Sequence, residues 1–595
     1  MDNTSPPPPP PVRWLDLPNK TQLFILALCR LSEPLSNASL LPYIFHLVRS
    51  VLPDDPATNK DAAIPFYSGL LAASFPLAQF AVSLPCGYLS DRQGRRASIV
   101  TGLFVSAVAN AAFGFCGGKG KGKGKGNGGI AWLFAWRVLA GMANGNVAIM
   151  RTATAEIVRE RRFQTKAFLL LPLVFNSGMV VSMALGGVLA DPVVNLPGLF
   201  GPGGALNWGG GEDGVEWMAE YPFALPALMN ALVLGFVLVL AVFGLRETLP
   251  GKEGERDWGI AAGERIVQLV KGVGISRRKE EASYKLLDDV EDQDLGQSGQ
   301  EDIQLYEAKP SVATPAAGTA DDDDDAAAAA TVTITPTTVK REPALPFRQI
   351  WTRHTVAAMV SFGLLPLHNS AFMHIFPVFL SSPPDHHDGD VPPPPPSAFP
   401  AVHFTGGLGL PPRTIGLSLG ALGVCGILFQ LYLYPRWQAR AGGTLGVLRA
   451  SLLMFPVAYA VAPFLSAVQG QTSPLASSWK LLLWPALAAV AWAQVMARTM
   501  AIPSTVMLLT EAAPSPRVLG TVHGAGNMLA SLARAVGPAA GGWVYAWGVR
   551  RGMVGAVWWF YLDVAALVAL AWGFGVQRER RPHDETSPGH ERRAC

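Results

Sequence analysis

Long runs of apolar residues, separated by short polar or glycine-rich stretches, set the pattern of this chain. Each run exceeds about 20 residues, enough to cross the roughly 30 Å hydrocarbon core of a bilayer as a helix. Proline and glycine inside the runs would break soluble helices, but neighbouring helices in a membrane satisfy the freed backbone groups. The pattern predicts an all-α membrane protein of twelve transmembrane helices, which we number spans 1 to 12. They lie at residues 21–48, 65–90, 97–117, 129–152, 166–190, 221–244, 351–380, 413–436, 444–468, 479–508, 519–547 and 553–576.

A different kind of segment separates spans 6 and 7. It is acidic, contains Ser, Pro and Thr, and is poor in aromatic residues, as in DDDDDAAAAATVTITPTT. A segment of this composition cannot bury enough apolar surface to fold alone. We therefore expect five parts. These are a disordered cytoplasmic N-terminus at 1–20, an N-terminal six-helix bundle at 21–244, a disordered acidic cytoplasmic linker at 245–348, a C-terminal six-helix bundle at 349–576, and a cytoplasmic tail at 577–595.

The distribution of Lys and Arg predicts the orientation in the membrane. The loops after spans 2, 4, 8 and 10 and the C-terminal tail contain these residues, whereas loops 191–220 and 381–412 carry almost none. Because cytoplasmic loops are enriched in Lys and Arg, both termini are expected in the cytoplasm. The Gly-Lys repeat at 117–129 is the one loop that opposes this assignment. The pattern does not distinguish the plasma membrane from the vacuolar membrane.

Composition and charge narrow the function classes. Half of the chain is hydrophobic, 15% is charged and the formal net charge is +3. A charge this small does not favour nucleic-acid binding, and the five cysteines form no disulfide framework. The glycine-rich repeat lacks the closing G-K-[ST] of a P-loop, so we do not expect ATP to be the energy source. The sequence offers no Ser/His/Asp set or Cys/His pair with an arguable geometry, so no enzymatic activity is expected. No cofactor and no metal are expected, and the cluster DHHDGD at 385–390 is interpreted as a solvated loop rather than a metal site.

The stretch 87-GYLSDRQGRRASIV-100 places one Asp and three Arg between two apolar spans. Gly87 would let span 2 approach a helix of the other half closely. Asp91 would then meet the positive N-terminal end of that helix, with Arg95 one turn away. The hypothesis is that Glu156, at the end of span 4, completes a cytoplasmic latch that holds the outward-facing state. The alternative is that these charges only set the orientation of the chain.

This stretch resembles the signature of the major facilitator superfamily between helices 2 and 3, G-x-x-x-D-x-x-G-R-[RK]. The matching residues are Gly87, Asp91, Gly94, Arg95 and Arg96. Spans 1, 4 and 11 resemble the fungal and plant branch of zinc-induced-facilitator-like carriers, near the drug:proton antiporters. The resemblance implies the major facilitator fold, two six-helix pseudo-repeats with a site at their interface, and solute transport by alternating access, usually driven by protons. It names neither the solute nor the direction of transport.

Paired glycines occupy matching places in the two halves, at 178-GMVVSMALGG-187 and 533-ARAVGPAAGG-542. Small residues at this spacing predict close helix packing. The antiporter groups commonly carry a Gly-Pro pair in span 5, which this chain lacks, although span 11 has one. The expected packing residues are Gly178, Gly186, Gly187, Gly537, Pro538, Gly541 and Gly542.

Charged residues inside the spans are candidates for a functional site, because each costs about 2.5–3.5 kcal/mol at mid-bilayer on insertion scales. Arg30 and Glu33 lie three residues apart in span 1 and can pair. In one hypothesis Glu33 takes up and releases the transported proton, with Arg30 or Arg137 beside it. In the other, the charges form a permanent structural pair between spans 1 and 4. The candidate proton-coupling and cavity residues are Arg30, Glu33, Gln79, Arg137, Asn144, Asn146 and His368.

Taken together, the residues and the resemblance predict a monomeric, proton-coupled carrier that exports or sequesters a small organic solute. Its expected partners are that solute, protons and the lipid bilayer, and nucleic acid is not expected. Two alternatives remain. One is proton-coupled uptake, and the other is a transporter-like nutrient sensor with little flux.

Overall fold

The computed structural model describes residues 16–53, 60–118, 127–158, 160–249, 252, 258–271, 347–383, 406–441, 443–469, 476–514 and 518–576. The expectations for the first 15 residues, most of the Gly-Lys repeat, most of the acidic linker, the DHHDGD cluster and the tail concern residues outside these ranges. Both halves belong to one compact unit, Met1–Arg265 with Ile350–Cys595, and Ile266–Gln349 is a second unit. Within the described ranges every regular element is a helix.

The first half contains spans 1 to 6. Their helices are Lys20–Cys29, Ser32–Asn37 and Ile44–Val51 for span 1, Lys60–Gln93 for span 2, Arg95–Gly114 for span 3, Asn127–Ala143 and Val147–Ile157 for span 4, Arg161–Leu189 for span 5 and Ala224–Gly244 for span 6. Three short helices, Pro192–Asn195, Pro197–Phe200 and Glu216–Glu220, lie between spans 5 and 6.

The second half contains spans 7 to 12, preceded by the short helix Phe347–Ile350. Two of its spans include a π-helical turn, Phe429–Leu433 in span 8 and Val557–Asp563 in span 12. The helices are Arg353–Ser381 for span 7, Pro412–Leu428 and Tyr434–Arg440 for span 8, Thr444–Val461 and Phe464–Gln469 for span 9, Ala476–Glu511 for span 10, Leu519–Arg550 for span 11 and Val564–Gly575 for span 12.

One helix occupies part of the segment predicted to be disordered. Trp258–Lys271 follows span 6, and so the prediction of disorder for 245–348 does not hold for these residues. Packing against span 6 explains the difference. A Cβ added to Gly263 would lie 3.0 Å from the Phe243 carbonyl carbon, and Glu264 pairs with Arg246 at 3.6 Å.

The membrane architecture follows the apolar pattern. In the part of the chain that the structure describes, nine helices are long and apolar enough to cross a membrane, and they correspond to spans 2, 3, 5 to 10 and 12. Span 11 is one continuous helix of 32 residues. Spans 1 and 4 are each divided into shorter helices. Span 9 is also divided, between Val461 and Phe464. The all-α membrane fold is confirmed, and three of its spans are interrupted in the part of the chain that the structure describes.

Polar side chains stabilise the interruptions in spans 1 and 4. The amide oxygen of Asn144, at the break in span 4, accepts a hydrogen bond from the Ser32 hydroxyl at 2.6 Å. Its carbonyl oxygen accepts one from Gln79 Nε2 at 3.0 Å. The Arg137 guanidinium donates to the carbonyl oxygen of Ser36, close to the break in span 1. Non-helical backbone is tolerated at membrane depth only where protein or water satisfies it, so these bonds allow the breaks.

The two halves meet backbone to backbone at one end. A Cβ added to Gly542 of span 11 would lie 2.8 Å from the Cα of Gly69 in span 2. One added to Gly187 of span 5 would lie 2.7 Å from the Cα of Gly416 in span 8. Because successive spans alternate in direction, these contacts lie on the same side of the bundle, which we call the Gly187 end. The opposite side, where span 2 finishes near Asp91, is the Asp91 end.

The other expected packing residues also lie where helices touch. Gly178 faces span 1, where an added Cβ would meet Leu31 at 2.6 Å, and Gly186 faces Ser39 of the same span. Gly541 faces Ile375 of span 7 at 2.7 Å. Gly537 also faces span 7, and the Pro538 carbonyl oxygen faces Gly69 of span 2.

Candidate functional site

A buried carboxylate, Glu33, lies at the centre of the candidate site. The side chain is in the short middle helix of span 1, and the residue is 3% exposed. Arg30 of the same span donates from Nη1 to Oε2 at 2.6 Å. Arg534 of span 11 donates from Nη1 to Oε1 at 3.2 Å. One carboxylate therefore accepts an arginine from each half, about midway along span 11.

A polar network extends from this ionic contact into spans 2 and 4. Arg534 Nη2 donates to Gln79 Oε1 at 3.3 Å, and Gln79 Nε2 donates to the Asn144 carbonyl oxygen at 3.0 Å. The structure thus brings four predicted residues, Arg30, Glu33, Gln79 and Asn144, into one network with Arg534. Arg534 is not among the residues that the sequence predicted for the site. No local signal could join it to Glu33, 501 residues away.

Arg137 does not contact Glu33, contrary to one of the two neighbours expected for that carboxylate. Its guanidinium lies 5.1 Å from the ring centroid of Phe75 and donates to Asn37 Oδ1 at 2.6 Å, as well as to the Ser36 carbonyl. The physical reason is the break in span 1, which frees backbone carbonyl oxygens within reach of span 4. Arg137 joins spans 1 and 4 through these neutral acceptors.

Asn146 and His368 also lie outside the network. Asn146 is 3% exposed and faces span 3, where a Cβ added to Gly102 would lie 2.8 Å from its Nδ2. His368 is fully buried in the second half, with Nδ1 2.9 Å from the Tyr459 hydroxyl and its ring edge-on to Phe455 at 4.7 Å. His368 therefore belongs to an aromatic core rather than to the network around Glu33.

The ionic triad of the predicted latch is assembled within the first half. Arg95 donates to Asp91 one turn earlier and pairs with Glu156 Oε1 at 3.3 Å. Gly94 precedes span 3 with φ of 114°, a backbone conformation that favours glycine. Gly87, however, does not approach another helix in this conformation, because a Cβ added there would meet no described atom within 4 Å. The triad here connects spans 2, 3 and 4.

Comparison with known proteins assigns the family. A model of the Major Facilitator Superfamily matches residues 26–383. The chain belongs to this superfamily. The Major facilitator superfamily multidrug transporter mfsB of Aspergillus fumigatus is 30% identical to it over 552 residues, which cover 92% of this chain and 81% of that relative. Protein ZINC INDUCED FACILITATOR 1 of Arabidopsis thaliana is 22% identical, over 88% of this chain and 83% of that relative. The predicted family is confirmed.

Solved structures show the same major facilitator fold. The D-xylose-proton symporter superposes with a TM-score of 0.54 at 13% identity, over 93% of this chain and 96% of that one. The inward open conformation of the xylose transporter XylE from E. coli gives a TM-score of 0.52 at 12% identity, over 94% and 96%. At these identities the likeness concerns the fold alone.

This major facilitator chain has one residue in contact with the predicted latch that the sequence analysis did not identify, Glu247. Its carboxylate accepts the backbone N–H of Arg95 at 2.8 Å and of Arg96 at 3.1 Å, the first two residues of span 3. The next residue, Thr248, donates to Glu156 Oε2 at 2.6 Å. The first N–H groups of a helix lack intrahelical partners, and a carboxylate there is favourable. An acid directly after span 6, in the sequence RETL, was the available signal.

Proposed function

We propose that this superfamily member is a proton-coupled carrier that moves a small organic solute out of the cytoplasm, by efflux or by vacuolar sequestration. The observation that carries the proposal is the buried contact of Glu33 with Arg534, a titratable group that joins the two halves midway through the fold. The relative mfsB, described as a multidrug transporter, supports a small organic solute, and the relative named Efflux pump azaK of Aspergillus niger, 25% identical over 38% of this chain, supports the export direction. Monomeric function and location in the plasma or vacuolar membrane belong to the same proposal.

Protonation of Glu33 couples the proton to the movement of the halves. The charged groups that face this carboxylate are Arg30, Arg534 and, within electrostatic range, Arg151 of span 4. A proton on Glu33 removes the charge that holds Arg534 to span 1. Leaving one partner of a fully buried ion pair uncompensated costs about 3–5 kcal/mol, and the cost for Arg534 is smaller because its side chain is 33% exposed. The released arginine therefore needs water or a polar group of the solute, and this need links proton uptake to solute binding or release.

The latch and the glycine contacts give the proposed cycle its two states. The orientation expected from Lys and Arg places the Asp91 end in the cytoplasm. Close contacts at the Gly187 end, together with the open space at Gly87, then correspond to an inward-facing arrangement. In the outward-facing state, we propose that Gly87 meets span 11 and that Asp91 contacts the start of that helix. Arg95, Glu156 and Glu247 hold Asp91 in position for that contact.

The test is solute flux in proteoliposomes that contain the purified full-length chain. A pH gradient is imposed, and a panel of labelled organic solutes, anionic, neutral and cationic, is followed with and without a protonophore. The proposal predicts gradient-dependent accumulation of at least one class of solute, abolished by the protonophore. Absence of gradient-dependent flux across the whole panel would favour the sensor alternative. Flux in the same direction as the protons would favour uptake.

A further inference from the structure

Another arginine inside a span, Arg498 of span 10, lies where the two halves meet. Its Nη2 lies 3.1 Å from the thioether sulfur of Met179 in span 5, and its Nη1 lies 3.8 Å from that of Met373 in span 7. Thioether sulfur is only a weak acceptor. Within the described ranges, these sulfurs are the hydrogen-bond partners of Arg498, and no carboxylate pairs with it. The guanidinium is partly buried, and none of the ion pairs among the described residues includes it.

An amide with a free acceptor accompanies this guanidinium. Gln494 lies four residues earlier on span 10, and residues at this spacing share one face of a helix. Gln494 Nε2 donates to Asn369 Oδ1 of span 7 at 3.0 Å, and the same side chain lies within hydrogen-bonding reach of the Tyr459 hydroxyl. Its Oε1 is buried without a hydrogen-bond partner among the described residues. The junction of spans 5, 7 and 10 thus contains polar groups whose bonding capacity is not used.

Span 5 connects this junction with the site around Glu33. Phe175 lies under the Arg30 guanidinium at 4.6 Å, and Met179, one turn further along, contacts Arg498. Between them, Asn176 donates to Gln430 of span 8 at 2.9 Å. The same stretch of span 5 therefore touches both arginines and the opposite half.

Among the described residues around the interface, arginines outnumber carboxylates. Arg30, Arg151, Arg498 and Arg534 lie in the spans around the interface, and Glu33 is the carboxylate that faces three of them. A single charge at mid-bilayer already costs about 2.5–3.5 kcal/mol on insertion scales. An anion that enters between the halves would offset part of this cost, whereas a cationic solute would add to it.

We propose that Arg498 and Gln494 bind the carboxylate group of the transported solute, which is an organic anion. The planar guanidinium fork suits a carboxylate, and the Gln494 amide can turn to donate to the same group. Met179 and Met373 then contact the apolar body of the solute, since thioether side chains adapt to irregular shapes. This inference rests on the proposed carrier function and adds the substrate class.

The test uses matched carboxylates and amides on the purified full-length chain. Benzoate, phenylacetate and indole-3-acetate are each compared with their primary amides by ligand-dependent thermal stabilisation, which reports binding to the folded state. At least one carboxylate is expected to bind more tightly than its amide. Arg498→Gln should weaken that binding by about 10- to 100-fold, the range expected for a charge-assisted hydrogen bond. Arg498→Lys keeps the charge without the fork and should retain part of the binding.

The control is Arg436→Gln, because Arg436 is an exposed arginine that donates to a local backbone carbonyl, that of Tyr432. It should leave carboxylate binding unchanged. Three results would overturn the inference: no carboxylate binding better than its amide, equal carboxylate binding by Arg498→Gln and wild type, or normal binding in Arg498→Gln with loss in Arg436→Gln. Gradient-driven flux of a neutral or cationic solute is also compared between Arg498→Gln and wild type. Equal flux would contradict the proposed anionic substrate class but not the proposed carrier function. If Arg498→Gln does not fold, carboxylate binding is measured with Arg498→Lys instead, and binding equal to that of the wild type would contradict the inference.

Discussion

Replacement of Glu33 by Gln tests whether this carboxylate carries the proton. The substitution keeps the shape of the side chain but removes the charge that accepts Arg30 at 2.6 Å and Arg534 at 3.2 Å. Breaking a buried ion pair costs about 3–5 kcal/mol. The amide oxygen of Gln recovers about 1 kcal/mol by accepting one hydrogen bond. Because the Arg534 side chain is 33% exposed, solvent screens this pair, and the contact between the halves is expected to weaken by about 1–3 kcal/mol, between the values for exposed and buried pairs.

The assay separates proton coupling from solute movement. A gradient of about 2 pH units supplies about 2.7 kcal/mol per proton, enough for about 100-fold accumulation with one proton per solute. Wild-type proteoliposomes should approach this ratio with a solute that the panel identifies. Glu33→Gln should give no accumulation, because the side chain can no longer exchange a proton. Its equilibrium exchange of labelled for unlabelled solute should persist, since that exchange needs no net proton transfer.

Glu264→Gln is the matched control, since Glu264 pairs with Arg246 at 3.6 Å on the surface. Exposed pairs contribute about 0–1 kcal/mol, so this variant should accumulate solute as the wild type does. Accumulation by Glu33→Gln at the wild-type ratio would refute the role given to this carboxylate. Loss of both accumulation and exchange would mean that Glu33 is a structural group, as in the other hypothesis for the pair.

Three further predictions concern the ends of the bundle. Asp91→Asn should slow transport several-fold while stability changes by less than about 1 kcal/mol, because the Asp91 side chain is 62% exposed; normal surface expression with unchanged transport would disprove the latch. Gly542→Val should destabilise the fold by about 1–3 kcal/mol in thermal melting, because its Cβ would lie 2.6 Å from the Pro65 carbonyl oxygen. The matched Gly235→Val has open space and should melt as the wild type does. Glu247→Ala should cost about 0.5–2 kcal/mol through loss of the helix cap, and unchanged amide exchange at the start of span 3 would contradict this role.

Sequence patterns were sufficient for the membrane fold because hydrophobic length is a local property. The continuous spans follow from apolar runs and the family from the spacing of the residues in GYLSDRQGRR. The breaks in spans 1 and 4 could not be read in the same way. They depend on bonds such as Ser32 to Asn144, 112 residues apart in sequence. Helix continuity inside a membrane is decided by such distant partners rather than by the composition of the span.

In the candidate site, too, the local contact could be predicted from the sequence and the long-range contact could not. The pair of Arg30 and Glu33 follows from spacing within one helix. Its third member, Arg534, comes from the other half and is determined only by packing. His368 was predicted to line the cavity because it is polar. Its partner is Tyr459 of the same half, so it does not contribute to the network around Glu33. A single sequence identifies which side chains are costly in a membrane, and only tertiary structure identifies what satisfies them.

The glycine contacts at the Gly187 end affect how easily the halves can rotate. Where Gly69 meets Gly542 and Gly187 meets Gly416, the two backbones approach each other without a side chain between them. We expect rotation of the halves about these two points to require few rotamer changes, because glycine has no side chain to rearrange. We expect the ion pairs of Glu33 with Arg30 and Arg534 to contribute more to the barrier to rotation than these glycine contacts do.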